Sequence, residues 1–327
     1  LALAQAPLSP EAIHRLKELN IPVAFWFVED FRVMPYWKEM SSAYDHFFTI
    51  QKDDFYPELI SAGVKDCYYL PQAAHPTIHQ PLKLSFEQKK LYKADLSFMG
   101  AAYHNRIQSF PRLLDLDFKI WGTGWDLNSP LGKRVQNHNE RVTTDETVKI
   151  YNAAKINLNL HSSLYHYGIN PDGDFVNPRT FEIASCKGFQ LLDSRSDLSN
   201  LFNVDEELVV FNSFEELKDQ FNFYISNPKL RSEIANRSYQ RVLAEHTIEH
   251  RMQELLIHVF INRFDSLQKN QMSRLDPLSY CIDKAGKNTT LGKYLEEFQG
   301  TKNFSIKTLA AHIHKGKGDL DDNETLL

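Results

Sequence analysis

The chain has 327 residues with 37 basic and 42 acidic side chains, giving a formal charge of −5. Hydrophobic residues at 42% and charged residues at 24% are ordinary globular composition and exclude wholesale disorder, while the acidic balance argues against a nucleic-acid partner. No run of about 18 apolar residues occurs, so no transmembrane segment is expected. Three widely spaced cysteines (Cys67, Cys186 and Cys281) fit a reducing, cytoplasmic setting, with peripheral membrane contact left open. The start at Leu1 inside an apolar run, without a basic region or cleavage pattern, reads as a piece of a longer protein rather than a signal peptide.

In chain order, Ser9-Pro10-Glu11 opens a helix that ends near Asn20. A buried strand follows at Val23–Val28, then a turn region through Pro35 and a strand at His46–Ile50. A helix from Asp53 to Ala62, with Asp53 and Asp54 as capping residues, closes at Gly63 before a strand at Cys67–Leu70. Pro71, Pro76 and Pro81 mark an aperiodic linker. Within it His75-x-x-x-His79 has zinc-pair spacing, but Pro76 breaks a helix there and no Glu follows the first His, so no metal is expected.

Alternation then restarts with strand Leu96–Met99, helix Asn105–Leu114 and strand Phe118–Trp121. Thr143-x-x-Glu146 is a capping box for a helix to Ala154, followed by strand Ile156–Leu160. Helix Arg179–Cys186 stops at Gly188 before strand Phe189–Leu192 and strand Leu208–Phe211. Ser213-x-x-Glu216 reads as a second capping box, Asn227-Pro228 caps the next helix to Ala244, and an amphipathic helix runs from Thr247 to Phe264. Beyond residue 266 only Leu291–Phe298 and Ile306–His314 look helical, and the acidic stretch Asp319–Glu324 reads as solvated. Strands separated by helices of this length build parallel sheets. The fold class is therefore α/β, with two Rossmann-like domains in tandem. Residues 1–82 form the first, apparently incomplete, 83–250 the second, and 251–327 a crossover helix and partly helical polar tail.

The ordered string Ile156-Asn-Leu-Asn-Leu-His161, Asp174-Phe-Val-Asn-Pro-Arg-Thr-Phe-Glu182, Asn227-Pro-Lys-Leu-Arg231 and Glu245-His-Thr247…Arg251 resembles the donor domain of the glycosyltransferases related to the spore-maturation protein CgeB, a group-1 type. The resemblance covers residues 95–260 and implies the two-domain GT-B fold, a nucleoside-diphosphate sugar as donor substrate and no cofactor or metal. Residues 1–82 look like the companion, acceptor-side domain. The implied reaction moves a hexose-type sugar to a glycan, protein or lipid-linked hydroxyl, with retention or inversion left open. The alternatives are a non-catalytic nucleotide-sugar or polysaccharide binding module of the same fold and, further off, a nucleotide-sugar epimerase.

A donor pyrophosphate bound without metal needs cations and helix N-termini. Arg179 sits in the first turn of its helix, and Glu182 lies one turn on, suited to ribose hydroxyls. An i,i+3 ion pair between them is the plain structural alternative. Related retaining transferases carry two acids separated by seven residues here. Asp174 and Glu182 keep that separation, with Asp in place of the first Glu; Asp174 and Asn177 would line the sugar side, and Thr180 is a further implied donor contact. Phe98-Met-Gly100 and the following Asn105 and Arg106 are implied donor contacts at a strand's carboxyl edge, and Gly122-Thr-Gly124 ends the next strand. His161 resembles the family position near the nucleotide, its alternative being a satisfied edge-of-core histidine. Glu29 and Asp30, at the end of the Val23–Val28 strand, are candidates for a base in the cleft.

Overall fold

The computed structural model describes residues 1–3, 7–273, 277–301 and 304–313. Two compact units divide the chain at residues 257 and 258. In the first unit, strand β1 (Ala2–Leu3) is followed by helix α1 (Pro10–Glu18), strand β2 (Ala24–Phe27), the short helix α2 (Trp37–Met40), strand β3 (His46–Thr49), helix α3 (Phe55–Ser61) and strand β4 (Cys67–Tyr69). The four strands lie parallel in the order β1-β2-β3-β4, with Phe25 opposite Phe47 and Trp26 opposite Phe48. Every residue of β2 and β3 is buried, as expected of a parallel sheet covered on both faces. Phe31 and Phe55 stack at 4.4 Å, and Trp37 meets Phe55 edge-on at 4.8 Å over that core.

Helix α4 (Phe86–Tyr92) leads into a second sheet. In chain order come β5 (Leu96–Met99), α5 (His104–Ser109), β6 (Phe118–Trp121), α6 (Thr144–Ala153), β7 (Ile156–Asn159), α7 (Pro178–Ser185), β8 (Gln190–Asp193), β9 (Val209–Phe211), α8 (Phe214–Ile225), α9 (Pro228–Glu245) and α10 (Ile248–Ser273). The strands are parallel in the order β6-β5-β7-β8-β9. From β5 the chain first moves outward to β6, then returns to β7 on the other side. That reversal opens a crevice outside the carboxyl ends of β5 and β7, the place where open α/β sheets bind ligands. The two sheets establish the GT-B architecture expected from the sequence.

The linker is anchored rather than loose. Ile248 N donates to Ala74 O at 2.8 Å, and the buried Arg251 donates from Nε to Pro71 O at 3.0 Å, so the start of α10 holds the segment between the sheets. In the second unit α11 (Pro277–Ala285), α12 (Thr290–Glu296) and α13 (Ile306–Ile313) pack Leu278, Ile282, Leu295, Phe298 and Leu309 into a small core. No helix of the described residues is long and apolar enough to cross a membrane.

Several local expectations are corrected. Helix α5 ends at Ser109 and tightens to a 3-10 turn over Phe110–Leu113, because Pro111 has no N–H to continue the ladder. Ser213 accepts the Glu216 N–H, but the Glu216 carboxylate reaches Asn212 N, so the box is not reciprocal. Asn227 stands at the N-cap of α9 before Pro228, but its side chain makes no capping bond and its amide donates back to Phe223 O. Asp54 has helical backbone angles and no capping bond, and pairs instead with Arg32 at 3.1 Å. A reciprocal box at Ser85 and Gln88 opens α4, which the sequence reading passed over, as it did α11. The Asp319–Glu324 stretch lies outside the described residues.

Candidate functional site

The carboxyl ends of β5 and β6 and the start of α7 enclose a cavity of about 730 Å³, within the usual range for small-molecule sites. Gly100 and Gly122 form its floor. Gly122 has φ +140°, and a Cβ there would stand 2.2 Å from Gly100 O, so only glycine lets the two strand ends approach. Gly124, at φ +80°, turns the chain behind that floor and faces Ala102.

Arg179 and Glu182 enter the cavity from one face of α7. Asn177 caps this helix by accepting Thr180 N at 3.2 Å and gives its own N–H to His161, and Pro178 sits at the first position, so the first turn is fixed and the Arg179 N–H is the one left for a ligand. Arg179 Nε is buried without a partner, and among the described residues no carboxylate lies within ion-pairing distance of its guanidinium. The expected alternative, an Arg179–Glu182 pair, does not form. Glu182 instead faces Tyr151 Oη at 3.4 Å and His79 Nε2 at 3.9 Å. The far wall carries Arg141, Thr143, Thr144 and the buried Thr147, of which the sequence named only Thr143, as a helix cap. Before it, Asn137, His138 and Asn139 all adopt left-handed angles, a strained run held by Asn139 bonds to both the N–H and the C=O of Trp125 at 2.9 Å.

Five implied donor contacts are occupied elsewhere. Arg106 is buried and spends its guanidinium on backbone carbonyls: Ala101 O at 2.9 Å and Leu160 O at 3.3 and 2.8 Å. Burial, reinforced by repulsion from Arg179, lowers it to about 9. Asn105 donates to His161 O and Gly168 O at 2.8 and 3.0 Å and accepts from Ser163 N, clamping the loop after β7. His161 is buried, with Nδ1 2.7 Å from Asp193 Oδ1 and Nε2 accepting Asn177 N at 2.9 Å. Asn177 and Thr180 turn inward to Asn159, at 2.8 and 2.9 Å. These residues hold the backbone around the cavity and are not among those that line it. Arg106→Met should therefore read out as stability: losing its carbonyl partners costs about 1–2 kcal/mol, and the melting temperature falls by a few degrees. An unchanged melting temperature would contradict this structural role.

The acids of the cleft separate. Asp30 accepts Arg32 N at 3.0 Å and lies 3.4 Å from Gln51 Nε2. Asp174, from the second sheet's domain, receives Arg32 Nη1 at 3.2 Å and Gln51 Nε2 at 3.1 Å. Asp30 and Asp174 are thus joined across the cleft by Arg32 and Gln51, neither foreseen from the sequence. Asp174 lines a separate cavity of about 110 Å³ beside Asp197, which pairs with Lys52 at 2.8 Å. Glu29 turns toward Tyr36, whose hydroxyl burial and then the Glu29 charge push up to about 12. Glu29 lines neither of these two cavities.

Two parallel Rossmann-like sheets with a cation-lined crevice at the second define the GT-B class of folds. Residues 104–257 match the glycosyl transferase-like family. The chain is 28% identical to the spore protein CgeB of Bacillus subtilis over 247 residues, covering 72% of this chain and 74% of that one. Both matches bear out the resemblance drawn from the sequence. Among solved structures, sucrose-phosphate synthase from Thermosynechococcus elongatus superposes with a TM-score of 0.55 at 12% identity, over 77% of this chain and 72% of its own. Anabaena HepE, solved in complex with UDP and glucose, gives 0.54 at 9% identity over 77% and 76% of the two chains. These likenesses show the GT-B fold.

Proposed function

We propose that the chain is a metal-independent glycosyltransferase that moves a hexose-type sugar from a nucleoside-diphosphate donor to an acceptor hydroxyl. The observation that carries this reading is Arg179: a cation with a buried, unpartnered Nε at the open end of α7, in a cavity of donor size. Its guanidinium and its own main-chain N–H would hold the pyrophosphate, with Arg141 opposite as a second cation. Glu182 would take the ribose hydroxyls. Asp30 and Asp174, bridged through Arg32, would face the sugar and the acceptor in the cleft. The UDP complex of the similarly folded Anabaena HepE supports a nucleotide in this kind of crevice.

A screen of UDP, GDP, ADP, CDP and CMP and their sugar conjugates by thermal shift tests the donor. A ligand at about 100 times its dissociation constant stabilises by roughly 2.7 kcal/mol, a shift of several degrees. We expect one diphosphate family to shift the protein and CMP to do so less; no shift with any diphosphate would remove the donor site. A second reading, a binding module without turnover, draws on Asp174 being held by Arg32 and Gln51. Acceptor-dependent release of free nucleotide separates the two.

A further inference from the structure

His79 lies on the segment between the two sheets, yet its ring lines the donor cavity. Clamps on both sides put it there. Its carbonyl accepts the hydroxyl of Ser185, fully buried in α7, at 2.5 Å. Asn152 of α6 donates to Gln80 O at 3.1 Å and accepts Leu82 N at 2.7 Å. The segment is stapled to the two helices that flank the cavity, and the His79 ring has little room to leave.

The tautomer follows from the neighbours. His75 N approaches His79 Nδ1 at 3.4 Å, which makes Nδ1 the acceptor and leaves the proton on Nε2. Nε2 points at Glu182 Oε1, 3.9 Å away, while Tyr151 Oη stands 3.4 Å from Oε2. Each carboxylate oxygen of Glu182 thus faces one donor. The Tyr151 contact is a long hydrogen bond and the His79 contact lies just beyond hydrogen-bonding distance, as is common in unliganded sites that tighten on binding. Burial lowers the His79 pKa despite the Glu182 charge, which keeps the ring neutral near pH 7.

We propose that His79 is a positioning residue for the donor site: its Nε2–H, together with the Tyr151 hydroxyl, fixes the plane of the Glu182 carboxylate so that its free lone pairs meet the ribose hydroxyls. A carboxylate held from two sides pays its rotamer entropy before the ligand arrives. The inference rests on the assignment of Glu182 to ribose, and it gives the linker a part in nucleotide selection.

Titration calorimetry with UDP, GDP, ADP and CDP and their 2′-deoxy counterparts tests it on the full chain, comparing wild type with His79→Ala, His79→Gln, Glu182→Ala and the double variant. His79→Ala should weaken the best ribonucleotide about tenfold and pull its ribo-to-deoxy affinity ratio toward one. His79→Gln, whose amide can donate to the same oxygen, should restore most of the ratio. In the Glu182→Ala background His79→Ala should change affinity by less than about twofold, because the group it positions is gone. The ratio is internal to each variant, and His79→Leu, which fills the same space without a donor, is read in its place should His79→Ala not fold. A ribo-to-deoxy ratio unchanged on removing the His79 donor with Glu182 present, or an equal loss in the Glu182→Ala background, would overturn the proposal while nucleotide binding stands. A wild-type protein that binds none of the nucleotides would overturn the donor-site reading and this inference together.

Discussion

Replacing Arg179 by alanine is expected to raise the dissociation constant of the bound nucleoside diphosphate by about a hundredfold or more while leaving the melting temperature of the free protein nearly unchanged. The first half follows from charge-assisted hydrogen bonding. Each bond from a guanidinium to a phosphate oxygen is worth about 1.5–3 kcal/mol, and every 1.4 kcal/mol is tenfold in affinity, so a bidentate contact accounts for the loss. The second half follows from what the side chain does without ligand. Its Nε is buried with no partner, and its charge adds to the repulsion felt by the buried Arg106. Removing it relieves that repulsion and breaks no bond within the protein. Gly100 belongs to the same argument, since a Cβ there would come within 3.2 Å of both Arg106 Nη1 and Arg179 Nη2. Arg179→Lys should fall between wild type and alanine, because an ammonium offers charge without the fork. Calorimetric titration alongside thermal melts checks both halves; an affinity within about threefold of wild type would show that the phosphates lie elsewhere.

Arg179 and Glu182 were legible in the sequence because their relation is local: three residues on a capped helix define one face. Arg106 looked like the same kind of residue and is not. The carbonyls that occupy it belong to Ala101 and Leu160, at the ends of neighbouring strands, and that adjacency exists only once β5 and β7 pair. His161 turned inward for a similar reason. Its partner Asp193 is 32 residues away, but both stand just at or beyond the ends of the adjacent strands β7 and β8. A reading that carried the strand order through to its side-chain consequences could have found the pair. Asn177 could have been found more simply, since Asn before Pro at a helix start is a capping signal. His79 gave no local sign. It sits in an aperiodic, proline-marked segment, and its role depends on Ser185 and Glu182, more than a hundred residues further along. Arg32 and Gln51 were missed because the contact that defines them is with Asp174, across the interdomain cleft.

Behind α7 lies the part of the structure on which the largest change in stability is expected. Asp193 is fully buried, receives both the backbone N–H and the Nδ1 of His161 at 2.8 and 2.7 Å, and pairs with the buried Arg195. His161 passes the connection on, since its Nε2 accepts the N–H of Asn177, the cap of α7. Asp193→Ala leaves Arg195 as an uncompensated buried cation, which costs about 3–5 kcal/mol. The pH dependence of the wild type comes from a different member of the network. Burial alone would raise the Asp193 carboxyl, but Arg195 and His161 outweigh it and hold it well below its ordinary 3.8, so its contribution is lost only in stronger acid. Burial and then Arg195 push His161 down to about 4 from 6.5, and burial takes His246, bonded to Leu201 O and Arg251, to about 4 as well. Between those values the unfolded chain binds the protons and the folded one refuses them, so stability rises with pH through the window and is lost as pH falls from 6.5 toward 4. Each histidine contributes up to roughly 3 kcal/mol of this loss. Urea unfolding at pH 7 and at pH 4.5 should show a clear fall in midpoint, and His246→Asn should flatten its share of the slope. Equal midpoints at the two pH values would mean that neither ring is kept neutral, and the buried Asp193–His161 link to α7 would then have to be formed by a charged imidazole.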